Sequence, residues 1–137
     1  MIERPSWESL ITGVPEIDIQ HKELFRAFNE FADILERGQG ASALKKLLVF
    51  LQYYAEWHFE REEQCAERYH CPIAEVNQKA HKRFLEIFGS LLEQCRESGY
   101  SEELARIAYK ELAGWLFNHV AQIDRQIGEC VHQSGNE

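Results

Sequence analysis

Nothing in the 137 residues approaches the roughly 18 consecutive apolar positions that a membrane-spanning helix needs, so membrane insertion is not expected. Positive charge is scarce: 15 Lys and Arg stand against 23 Asp and Glu, a formal net charge of −8. Such a balance argues against a partner recognised through phosphates, and no nucleic acid or polybasic membrane contact is expected. Prolines are few, at Pro5, Pro15 and Pro72, and none falls inside an amphipathic stretch, where the missing N–H and the ring would break a helix. The four cysteines, Cys65, Cys71, Cys95 and Cys130, form no CxxC pair. They are expected to be reduced, with Cys65 and Cys95 as small core residues and Cys71 and Cys130 near helix ends as candidate reactive thiols. The start, Met1-Ile2-Glu3-Arg4-Pro5, lacks the anatomy of a secretory signal, and a cytoplasmic location is expected. There is no internal repeat, low-complexity segment or second domain.

What is present is helical periodicity with polar residues on its inner face. Apolar residues make up 45% of the chain, enough for one domain with a real core. One stripe reads Leu44, Leu47, Leu48, Leu51, Ala55, then His58, Glu62, Cys65 and Tyr69. Four steps along a helix return to nearly the same face, so His58 and Glu62 lie side by side on the buried stripe. A solvated His/Glu pair is common. A carboxylate on a core stripe is costly unless something positive meets it.

The rest of the chain supplies three more stripes. Residues 1–15 read as an N-terminal arm that packs on the body through Trp7, Ile11 and Val14. Asp18 is a candidate cap for a first helix whose inner face is His21, Leu24, Phe25, Phe28, Phe31, Ala32 and Leu35, ending at Gly38-Gln39-Gly40. The second helix is expected over 42–69. A third follows Pro72 with Asn77, Ala80, His81, Phe84, Phe88, Leu91, Leu92 and Cys95 inside, ending at Gly99. Ser101 is a plausible cap for a fourth, with Leu104, Ile107, Ala108, Leu112, Trp115, Leu116, His119, Ile123 and Ile127 inside. Four amphipathic helices joined by short turns predict an all-α, antiparallel up-down-up-down four-helix bundle over 16–130, with the arm before it and a frayed tail over 131–137.

In that order of helices the polar inner residues meet at one level. His21 is early in the first helix, His58 and Glu62 late in the second, His81 early in the third, and His119 and Asp124 late in the fourth. A lone histidine on an apolar face is usually a hydrogen-bonded core residue; four histidines and two carboxylates at one end are not. Imidazoles with carboxylates and no aligned cysteine suit iron, manganese or zinc. His119 and Asp124, five apart, point about 140° away from each other on an ideal helix. Asp124 would then reach between two ions, which indicates a dinuclear site.

These segments resemble the hemerythrin family, in particular its single-domain bacterial members. The resemblance is carried by Gly13-Val14-Pro15-Glu16-Ile17-Asp18-Ile19-Gln20-His21-Lys22-Glu23-Leu24-Phe25, by His58-Phe59-x-x-Glu62-Glu63, by Pro72, by His81 with Phe84, and by Trp115-Leu116-x-x-His119-x-x-x-x-Asp124. It covers roughly residues 7–127. It implies a non-heme di-iron centre, two iron ions with dioxygen as ligand. Glu62 and Asp124 would bridge, His21 and His58 would serve one ion, His81 and His119 the other, and Leu116 would line the oxygen pocket.

One position departs from the family pattern. A histidine is expected four residues before His81, and Asn77 stands there. The third helix either uses Asn77 as a cap, or offers its amide oxygen or a water it holds to the metal. His70 lies across Pro72, and Glu75 and Gln78 are poorly phased for the inner face. Two functions compete, beside a third reading in which the bundle keeps its fold, has lost full metal loading and acts through its surface. One is a carrier, store or sensor of dioxygen or another small diatomic ligand, as a monomer or weak oligomer. The other is a di-iron enzyme that reacts with dioxygen, peroxide or nitric oxide as an oxidase or peroxidase does. No catalytic acid–base residue stands out.

Overall fold

The computed structural model of the chain describes residues 2–135. Its helices are α1 (Pro15–Glu36), α2 (Gly40–Arg68), α3 (Ala74–Ser98) and α4 (Glu102–His119), with a π-helical turn (Val120–Asp124) leading into α5 (Arg125–Gly135). No strand occurs among the described residues. The connections Arg37–Gln39, Tyr69–Ile73 and Gly99–Ser101 are too short for anything but reversal, so successive helices run antiparallel as a four-helix bundle. No helix among the described residues is long and apolar enough to cross a membrane.

The stripes of α1, α2 and α3 form the core as their periodicity predicts. Phe28, Leu35, Leu44, Leu48 and Leu51 are essentially inaccessible, and Phe84, Phe88, Leu91 and Cys95 meet them from α3. Gly99 ends α3 with φ at +83°, a backbone state that costs glycine nothing. Ser101 caps α4, its side chain accepting a hydrogen bond from Leu104 N–H at 3.0 Å.

Several local expectations are corrected. Asp18 is not the cap of α1; the helix begins a turn earlier with Pro15 at its first position. The Asp18 carboxylate instead accepts from Thr12 N–H, Thr12 Oγ1–H and Gly13 N–H at 2.7–3.0 Å, tying the arm to α1. Trp7 wedges in beside it, stacked on Phe25 at 4.6 Å and donating to Asn29. This arm shifts the buried face of α4. Ala105, Ala108, Tyr109, Leu112 and Ala113 are buried, whereas Ile107, placed on the inner stripe by periodicity, is exposed. Tyr109 donates to the Glu3 carbonyl, so the arm supplies cover that a helix pattern cannot register.

The expected frayed tail spans 131–137. Helical structure continues through Gly135, and residues 136–137 lie outside the described residues. Gly128 lets the arm cross α5, since a Cβ there would overlap the Thr12 carbonyl oxygen. Cys71 and Cys130, expected as free thiols, form a disulfide with their Cα atoms 5.8 Å apart. Antiparallel packing lays the turn after α2 against α5, a juxtaposition that a separation of 59 residues does not announce. Ile17, Ala66 and Ile127 pack around the bond as a small second core. Cys95 is buried and Cys65 half-buried, both free.

Candidate metal centre

The six inner polar residues meet between the helices, all of them at most 5% exposed. His21 comes from α1, His58 and Glu62 from α2, His81 from α3, His119 from the last turn of α4, and Asp124 from the π turn. The two carboxylates lie between two histidine pairs, and each aims one oxygen at each pair. Glu62 Oε2 faces His58 Nε2 at 3.1 Å and His21 Nε2 at 3.4 Å, while Oε1 faces His81 Nε2 at 3.1 Å and His119 Nε2 at 3.5 Å. Asp124 Oδ2 is 3.1 Å from His21 Nε2, and its Oδ1 is 3.0 Å from His119 Nε2. Two four-residue groups with donor atoms mutually within 4.8 Å result: His21, His58, Glu62, Asp124, and Glu62, His81, His119, Asp124.

The contact between His119 and Asp124 corrects the sequence geometry. Wound as an α-helix, these residues would diverge. The chain tightens nothing here but widens: Arg125 N–H reaches back to the Val120 carbonyl, five residues away, so one turn takes up an extra residue. His119 and Asp124 thereby share a face. Asp124 reaches one histidine of each pair with its two oxygens, rather than pointing away from His119.

Without ions this cluster is poorly satisfied. His21 Nε2, Glu62 Oε2 and both Asp124 oxygens have no hydrogen-bond partner among the described residues, although oppositely charged or polar atoms lie 3.0–3.4 Å away. Each four-residue group keeps its donor atoms within 4.8 Å of one another, close enough for a single cation to meet them all. Burying four imidazoles and two carboxylates is costly unless charge of the opposite sign is supplied. In the metal-free chain protons supply it. Burial pushes the His21 imidazole down, but the facing Asp124 and Glu62 carboxylates outweigh that and raise it to about 9. His119 is likewise opposed by burial and raised to about 9 by Asp124 and Glu62. Burial alone would raise Glu62, yet the four histidines, His119 foremost, hold it well below the usual carboxylate range. The donor set therefore fits a pair of transition-metal cations.

Asn77 completes the picture on α3. It is fully buried, and both its amide nitrogen and oxygen lack partners among the described residues. It caps nothing, because α3 starts three residues earlier with Ile73 at its cap. His70, by contrast, is exposed in the turn, with φ at +52°, and Glu75 and Gln78 are exposed. Leu116 is buried one turn before His119. Trp115 stacks on the His119 ring at 4.5 Å and Phe59 on the His81 ring at 3.9 Å, walling this side with aromatics.

Two residues escaped the sequence reading. Gln20 Oε1 lies 2.7 Å from His58 Nδ1, and Glu63 Oε2 lies 2.8 Å from His81 Nδ1. Both are next in sequence to an inner-face ligand candidate and so sit about 100° off the stripe. Their adjacency to His21 and Glu62 was the only signal, and it does not say which ring they would meet.

The fold and donor set define a helical-bundle protein with a buried histidine–carboxylate metal centre. Residues 12–131 match the family described as hemerythrin HHE cation binding domain, and the chain belongs to that family. Membership implies iron as the metal. Bacteriohemerythrins of Pseudomonas aeruginosa and Pseudomonas paraeruginosa are each 28% identical to it over 131 residues, 95% of this chain and 82% of theirs. No solved structure was found to match.

Proposed function

We propose that this protein is a non-heme di-iron protein that binds dioxygen reversibly, for storage, delivery or sensing. The observation that carries the reading is the pair of carboxylates, Glu62 and Asp124, each with one oxygen towards His21 and His58 or His21 alone, and the other towards His81 and His119 or His119 alone. His21 and His58 would hold one ion, His81 and His119 the other, with both carboxylates shared. Iron held by these residues would supply reversible electron transfer to dioxygen. The chain's own part is to hold the donors rigid on four helices and to keep water away. Leu116, buried beside the centre's last histidine turn, would form an apolar wall of the ligand pocket. Dioxygen, an uncharged diatomic, loses little by entering such a pocket, whereas a charged reduced product would gain little there.

Asn77 makes the two halves unequal. Its buried, unpartnered amide would offer an oxygen to the ion at His81 and His119, or hold a water there. Either is a weaker donor than imidazole, so this ion would be the more labile. The same feature favours a second reading, an enzyme that reduces dioxygen or peroxide, because a weakly filled position admits exogenous ligands. The protein would reside in the cytoplasm as a monomer or weak oligomer, where thiols are kept reduced and the Cys71–Cys130 bond would form only transiently.

Anaerobic loading with iron(II), metal analysis and repeated cycles of dioxygen and vacuum test the proposal. Two ions per chain and a visible spectrum that appears and vanishes with each cycle are expected. Steady consumption of dioxygen in the presence of a reductant would replace the carrier by the enzyme. Glu62→Ala removes the group facing all four histidines; if that variant kept two tightly bound ions, the bridging assignment would be wrong.

A further inference from the structure

The two halves of the centre differ in what stands behind their histidines. His58 has the neutral Gln20 amide at its Nδ1, 2.7 Å away and buried. His81 has a carboxylate, Glu63 Oε2, at 2.8 Å, on a side chain 31% exposed. The Nδ1 atoms of His21 and His119 have no partner among the described residues. The one histidine backed by negative charge is thus on the helix that carries Asn77, four residues after that buried amide, whose nitrogen and oxygen have no partner among the described residues.

We propose that Glu63 is a positioning residue that secures metal in the half formed by Glu62, His81, His119 and Asp124. This rests on the two-ion reading above. The Glu63 carboxylate accepts a hydrogen bond from His81 Nδ1–H. That fixes the tautomer whose Nε2 lone pair faces Glu62 and His119, and it polarises the ring so that Nε2 is the stronger donor. Phe59, stacked on the same ring at 3.9 Å with planes 10° apart, restrains its tilt, so the carboxylate sets rotation within the ring plane. A partially charged donor in place of a neutral one compensates for the amide at Asn77. The geometry from α2 makes this possible: Glu62 and Glu63 are consecutive, so one faces the interior and its neighbour turns to the edge between α2 and α3, where the outer nitrogen of His81 emerges.

The test compares wild type with Glu63→Ala and Glu63→Gln, and with Gln20→Ala as the control on the other half. Ions are loaded as iron(II), with cobalt(II) as a spectroscopic probe, and removed by graded chelator competition. Glu63→Ala should weaken the second ion about 10–100-fold and leave the first unchanged. Glu63→Gln, which keeps an acceptor without the charge, should fall between the two. Gln20→Ala should act on the first ion instead. A general loosening of the fold would weaken both ions together and would overturn the assignment, as would a Glu63→Ala protein with wild-type retention. The ring itself is read in the metal-free protein by nitrogen-15 NMR of His81. A protonated Nδ1 in wild type and Glu63→Gln, and a shift towards mixed tautomers in Glu63→Ala, is expected; identical spectra in all three would refute the role. If wild type bound fewer than two ions, the two-ion reading would fail, and the His81 spectra would still decide whether Glu63 holds the ring.

Discussion

Replacing Asn77 by leucine should change the metal-free and metal-loaded proteins in opposite senses. Leucine has the side-chain heavy-atom count and branching of asparagine, with bulkier methyl groups in place of the amide, and carries no polar atom. In the metal-free fold, Asn77 buries an amide whose two polar atoms are unpartnered, at 0% exposure. An unsatisfied buried donor or acceptor costs about 1–3 kcal/mol, and an apolar isostere removes that cost. At this chain length 1 kcal/mol corresponds to roughly 3–5 °C in Tm, so metal-free Asn77→Leu should melt about 3–15 °C higher than wild type. On the proposed reading, the amide would gain a partner when metal is bound, an ion or a water it holds. Losing it should weaken the second ion by about tenfold or more, ~1.4 kcal/mol, and reduce the stabilisation that loading provides. The assay is differential scanning calorimetry of chelator-treated and iron(II)-loaded protein, wild type and variant, under argon. An equal rise of Tm in both forms would show that Asn77 never meets the metal and is only a poorly satisfied core residue.

The reverse substitution, Asn77→His, should restore an imidazole four residues before His81, raise iron retention under chelator towards two ions per chain and slow oxidation of the reduced protein in air; unchanged retention and rate would make the amide silent. Leu116→Ala should leave metal content near wild type and speed loss of the reduced state in air severalfold, because it opens the apolar wall to water; an unaltered rate would place the pocket elsewhere. Metal removal should also reverse the pH response. His21 and His119, raised from 6.5 to about 9, stabilise the metal-free fold fully below pH 6.5 and lose that contribution as pH rises through about 9. Glu62, lowered from 4.5, contributes above that value and loses its effect as pH falls well below it. Metal-free Tm should therefore peak between roughly pH 4.5 and 6.5 and decline to pH 9, whereas loaded protein should hold or gain over that upper range, since protons then compete with the ions. A flat metal-free profile from pH 6.5 to 9 would contradict the mutual orientation of the histidines and carboxylates.

Much of this protein is written locally. A helix repeats every 3.6 residues whatever packs against it, so the stripes of α1, α2 and α3 could be read residue by residue, and with them the bundle. Short turns then force antiparallel order, and that order alone brings His21, His58, Glu62, His81 and His119 to one end. Asn77 was legible too, as a polar residue in phase with His81.

What the sequence could not decide depends on departures from that period or on neighbours far along the chain. The His119–Asp124 contact needs a π turn, and five residues of ideal α-helix argue against it. The buried face of α4 is rotated because an arm more than 90 residues upstream covers it through the Glu3–Tyr109 hydrogen bond, and no window on α4 contains that information. Asp18 looks like a cap from its place before an apolar stripe, yet its carboxylate is taken by Thr12 and Gly13. The Cys71–Cys130 bond and the Glu63–His81 and Gln20–His58 pairs each join two elements whose axial offset and rotation are set by packing of the whole core. Periodicity tells which side of a helix faces inward; only the assembled bundle decides which atom waits on the other side.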